Sequence, residues 1–87
     1  MRLKKGFVLR EVGGQNVVIA TGEASENFHG MIKLNAVGKE IWKGLSVGLS
    51  EKEIAERISQ IYTVDLDTAA ADTKEFIKQM KENGFLA

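Results

Sequence analysis

The stretch MIKLNAVGKEIWKGL, residues 31–45, changes its hydrophobic period part-way along. Met31-Ile32-Lys33-Leu34 alternates, which sends Ile32 and Leu34 to one face of a short strand and Met31 and Lys33 to the other. Beyond Asn35 the apolar residues Val37, Ile41 and Leu45 recur every four positions with Trp42 beside them, the stripe of an amphipathic helix. Asn35 stands at the junction. Its side-chain oxygen suits it to accept an orphan N–H of the first helical turn, so it reads as an N-cap. A strand that runs straight into a capped helix points to a mixed α and β domain.

Upstream, Phe7, Val8, Leu9 and Val12 precede Gly13-Gly14, and Asn16-Val17-Val18-Ile19-Ala20 follows. Two β-rich runs around a dipeptide that accepts positive φ make a hairpin. Residues 21–30, TGEASENFHG, carry glycine near both ends with small and polar residues between, and read as a surface loop. Downstream, the first helix stops in the region of Gly44 to Gly48. Ser50-Glu51-Lys52-Glu53 is a capping box that opens a second helix with Ile54, Ala55, Ile58, Ile61 and Tyr62 on one face. A third helix takes Asp65 or Asp67 as its cap and presents Leu66, Ala69, Ala70, Thr73, Phe76, Ile77 and Met80 at helical spacing. Asn83-Gly84 closes it, and Phe85-Leu86 folds back onto the core. The expected architecture is α+β: a three-stranded antiparallel sheet followed by three helices, similar in layout to a winged helix-turn-helix, with residues 1–87 forming one domain.

The chain has 87 residues, 12 Lys plus Arg against 12 Asp plus Glu, one His, no Cys and no Pro. A domain of this size buries only ~60–65% of the surface its unfolded chain exposes, which commits most apolar side chains to one core. A net charge of zero supplies no general drive toward nucleic acid or anionic membrane. Without cysteine there is no disulfide, thiolate nucleophile, iron–sulfur cluster or Cys-based zinc site, and a reducing cytoplasm is the expected location. The longest apolar run, from Val17 to Ala20, is far too short to span a bilayer.

Single residues read mostly as structural. Trp42 belongs to the core, given the area an aromatic buries on the inner face of a helix. Gly38 costs about 1 kcal/mol relative to Ala in mid-helix, and close packing is the reason for it. His29, in the loop with Glu23 and Glu26, lacks converging partners and reads as solvated. Lys74, Lys78 and Lys81 share a helical face, but Asp72, Glu75 and Glu82 are interleaved with them and cancel most of the field. No phosphate loop, paired His ligands or Ser/His/Asp arrangement is present, so no catalytic residue, metal or cofactor is expected.

The runs at residues 34–45, 50–62 and 64–86, with the strand-rich N-terminus, resemble the PqqD-like family. Leu34, Asn35, Gly38, Ile41, Trp42, Ile54, Tyr62, Asp72, Phe76 and Gly84 fill the places of that family's pattern. Its type member serves biosynthesis of pyrroloquinoline quinone. The resemblance implies a non-catalytic recognition module of ribosomally made, post-translationally modified peptide pathways. Such a module captures the leader of a precursor peptide as an extra strand on its third strand, beside its third helix, for a partner enzyme, often a radical S-adenosylmethionine protein. Carried over to this chain, that makes Met31, Ile32, Lys33 and Leu34 one wall of the peptide site and Ala69, Asp72, Thr73, Phe76 and Met80 the other. The rival reading is a winged-helix DNA-binding protein.

Overall fold

The computed structural model describes residues 2–22 and 31–86. Its elements are β1 (Phe7–Val12), β2 (Gln15–Ala20), β3 (Met31–Leu34), α1 (Ala36–Ser46), α2 (Glu51–Tyr62) and α3 (Leu66–Glu82). The three strands form one antiparallel sheet in the order β1-β2-β3. Most of the expected loop, with His29, Glu23 and Glu26, lies outside the described residues.

The β1–β2 turn sets the phase of the whole sheet. Gly13 and Gly14 both have positive φ, +58° and +79°, as a two-residue type I′ turn requires. In such a hairpin the residues flanking the turn, Val12 and Gln15, exchange hydrogen bonds, and every second pair does so after them. The bond from the Thr21 N–H to the Gly6 carbonyl, 2.6 Å, continues that phase at the far end. The main-chain groups of Val17 and Ile19 therefore face β1, and those of Asn16 and Val18 face β3, where their partners are Leu34 and Ile32. It follows that the N–H and C=O groups of Met31 and Lys33 point away from the sheet. Among the described residues nothing pairs with them, and they form an open edge.

Each helix is started by a side chain. The Asn35 Oδ1 accepts from the Gly38 N–H at 2.7 Å. In the capping box, Ser50 Oγ accepts from the Glu53 N–H at 3.1 Å and Glu53 Oε1 accepts from the Ser50 N–H at 3.0 Å. Of the two candidates for the third cap the structure uses Asp65, whose Oδ1 accepts from the Thr68 N–H at 2.8 Å and whose Oδ2 accepts from the Thr68 hydroxyl at 2.9 Å. The main-chain donor, then the hydroxyl, hold the Asp65 carboxyl below its ordinary pKa, and the Ser50 N–H, then its hydroxyl, do the same for Glu53. Because both values are lowered by folding, these caps support the fold at neutral pH and lose that contribution as the pH falls through them.

The helices pack on one face of the sheet. Ile41, Leu45, Ile54, Ala55, Ile58, Ala69 and Ile77 form a helix–helix core, and Val18, Trp42, Met80 and Phe85 join helices to sheet, with Phe7, Leu9, Ile32 and Leu34 against them. Trp42 is thus a core residue, as expected. Two apolar stripes run further in the sequence than in the core. Ile61 and Tyr62 at the end of α2, and Leu66 and Ala70 at the start of α3, share the apolar faces but are exposed. They sit at the corner where the chain reverses between helices, and among the described residues no third element covers it.

The first helix ends at Ser46, within the expected region of Gly44 to Gly48, and Gly44 itself lies in its last turn. A Cβ at Gly44 would lie 2.7 Å from Ile54 Cγ1, so glycine here lets α1 and α2 approach. Gly44→Ala is accordingly expected to destabilise the protein by about 1–3 kcal/mol from overpacking, outweighing the helix-propensity gain. Thermal unfolding checks this. A Tm equal to or above the parent's would show that Ile54 yields without cost.

Candidate functional site

The open edge of β3 continues into a cleft. Asn35, the residue after the strand, lines it together with Val37 and Gly38 of α1 and with Asp72, Glu75, Phe76 and Gln79 of α3, around a volume of about 290 Å³. The α3 residues are spaced i, i+3, i+4 and i+7, one ridge of a helix. Gly38 explains how three elements meet here: a Cβ on it would lie 3.1 Å from Phe76 Cε2 and 3.5 Å from Leu34 Cβ. The close packing expected of this glycine is therefore against the strand and the third helix together. Gln79 Nε2 donates to Glu75 Oε1 at 3.5 Å, a long contact that leaves the carboxylate open to another donor.

The four strand residues divide as alternation requires. Met31 and Lys33 are exposed, Met31 at 58%, while Ile32 and Leu34 are half-buried against the core. On the helix side Asp72 is exposed at the rim and Phe76 half-buried in the wall. Three other candidates do not reach the surface. Ala69 and Thr73 are 0% exposed and Met80 only 3%, and the Thr73 hydroxyl donates within α3 to the Ala69 carbonyl at 2.7 Å. Their expected role as contact residues is corrected to support from below. At 3.6 residues per turn the ridge of Asp72, Glu75 and Gln79 is rotated roughly 100° from that of Ala69, Thr73 and Met80, with Phe76 on the boundary. The sequence reading merged two adjacent stripes. It missed Val37, Glu75 and Gln79, although the last two follow Asp72 by three and seven positions and were findable by that spacing.

Chemically, the edge and cleft offer main-chain donors and acceptors, one aromatic wall and an acidic rim. That suits an extended chain, which satisfies a strand edge with its backbone and fills a pocket with alternate side chains. A depression of about 410 Å³ between α2 and α3, lined by Lys52, Leu66, Ala70 and Lys74 among others, lies between helices whose backbone bonds are internal, so it lacks the edge. Among the described residues no group of three or more His, Cys, Asp or Glu is placed to hold a metal ion. No helix among them is long and apolar enough to cross a membrane. Lys74, Lys78 and Lys81 are exposed, and Glu75 and Glu82 share their surface depression.

The model of the family described as coenzyme PQQ synthesis protein D (PqqD) matches residues 7–86. No curated protein matches the chain. Two solved structures share its fold. One is TbiB1 in complex with the TbiA(beta) leader peptide, with a TM-score of 0.79 and 24% identity, covering 99% of this chain and 94% of that one. The other is lasso peptide synthetase B1 complexed with the leader peptide, with a TM-score of 0.79 and 21% identity over 99% of this chain and 95% of that one.

Proposed function

The chain belongs to the PqqD family, and from that premise we propose that it binds the leader segment of a ribosomally made precursor peptide and presents the precursor to a modifying enzyme. Residues 1–87 act as one recognition domain in the cytoplasm, catalysing nothing themselves. The leader adds to β3 as a fourth antiparallel strand, and the partner is a peptide-modifying enzyme such as a radical S-adenosylmethionine protein. The observation that carries this reading is the open edge at Met31 and Lys33 beside the Phe76 cleft. Leader peptides bound to TbiB1 and to lasso peptide synthetase B1, which share the fold, support it.

Nuclear magnetic resonance with the leader of a precursor encoded in the same gene neighbourhood tests it. The Met31 and Lys33 amides are expected to become protected from exchange, with an affinity that changes little with salt. Duplex DNA should bind no better than the nonspecific range of about 10⁻⁴–10⁻⁶ M at physiological salt, since the protein is neutral and the lysines of α3 are interleaved with acids. Tight, sequence-specific DNA binding with resonance changes confined to α3 would replace the peptide reading with the winged-helix one.

A further inference from the structure

The sheet has a second face, turned away from the helices, and its residues fall into cross-strand rows. One row is Val8, Ile19 and Met31, and the next is Arg10, Val17 and Lys33. The first is wholly apolar. In the second, Val17 is only 2% exposed, whereas the two cations that flank it are exposed, and neither has an ion pair among the described residues. No acidic residue of the three strands points to this face: Glu11, the only acid in them, belongs to the opposite set with Asn16. A strand added to β3 extends each row by one position.

We propose that the strand captured on β3 is selected for an acidic residue opposite Lys33 and an apolar residue opposite Met31. This rests on the strand-addition reading above and specifies the peptide that it takes. In antiparallel pairing the residue opposite Lys33 precedes the one opposite Met31 by two positions. The recognised segment therefore reads, from its N-terminus, acid, then one residue, then apolar. Directly opposed pairs of unlike charge, and apolar pairs on one face, are what stabilise neighbouring strands, while like charges oppose pairing. The intervening residue is opposite Ile32 and turns to the helix side, where Asp72 and Glu75 rim the cleft without a lining cation. The acidic and apolar positions together also fix the register, because a slip by one residue would turn the acid away from Lys33 and onto the apolar helix side of the sheet.

A display library of short random linear peptides panned on the full chain tests this. The parent protein is expected to enrich the acid-x-apolar pattern, Lys33→Glu to enrich Lys or Arg at the acidic position, and Lys33→Gln to show no charge preference there. In synthetic binders, replacing the acid by Ala should weaken binding to the parent about two- to fivefold, an effect that shrinks as salt is raised. Binders that lose affinity for Lys33→Pro but are indifferent to the acidic position would overturn the charge signature and leave strand capture standing. Binders indifferent to Lys33→Pro, or a library that yields none, would overturn strand capture and the signature with it.

Discussion

Lys33→Pro is expected to remove most of the leader affinity while leaving the domain folded. Proline eliminates the Lys33 N–H, and the phase of the sheet places that donor on the open edge instead of in the ladder with β2. An edge strand is where a sheet tolerates proline, and the restriction proline imposes on Ile32 is to the extended conformation that Ile32 already has. The leader meanwhile loses one hydrogen bond, leaves its own carbonyl unpaired, and meets the pyrrolidine ring where the ladder should close. The expected loss is at least about 1–3 kcal/mol, or roughly five- to 150-fold in Kd. Lys33→Ala keeps the N–H and should cost far less. Ile32→Pro is the contrasting control, because the Ile32 backbone pairs with Val18 and its loss should disrupt the sheet itself. Calorimetry with the leader, alongside circular dichroism, separates the outcomes. A folded Lys33→Pro protein with parental affinity would mean that the peptide docks elsewhere. On the cleft side, Asp72→Lys should alter affinity for a charged leader without unfolding the domain, since Asp72 is exposed.

Phe85→Ala is expected to be the most destabilising single truncation. The side chain is 0% exposed and meets the Phe7 ring edge-to-face at 4.6 Å and the Trp42 ring at 5.9 Å, so it ties β1 to α1 from a position after α3. It is delivered there by a Schellman turn, with the Phe85 N–H bonded to the Met80 carbonyl at 2.9 Å, the Gly84 N–H to the Lys81 carbonyl at 3.1 Å, and Gly84 at φ +80°. The Phe85 carbonyl in turn accepts from the Lys4 N–H at 2.8 Å, and Leu3 pairs with Leu86, which anchors the N-terminal segment. Removing a buried Phe costs about 3–5 kcal/mol. The whole stability of a chain this long is about 4–13 kcal/mol, so the variant should lose a large part of it. Chemical denaturation measures it. A loss under about 1 kcal/mol would show that Phe7 and Trp42 close over the gap.

Features that rest on contacts a few residues apart were legible in the sequence. The Gly13-Gly14 turn, the Asn35 cap, the Ser50–Glu53 box and the Asn83-Gly84 stop each join groups within four or five positions, and each is present where its residues predict it. The alternation in β3 likewise told which side chains face the core. What each surface meets depends on long-range packing. The same apolar spacing buries Ile58 and exposes Ile61, because an opposing element covers one turn of α2 and not the next. Gly44 is glycine for a reason no local pattern carries, because Ile54 on another helix needs the space. Thr73 and Asp72 are neighbours in sequence, yet one is sealed under α3 and the other rims the cleft, since burial depends on which side of a helix its partners occupy. The open backbone of Met31 and Lys33 was settled by long-range pairing, because the direction of a strand's hydrogen bonds is inherited from the strand beside it.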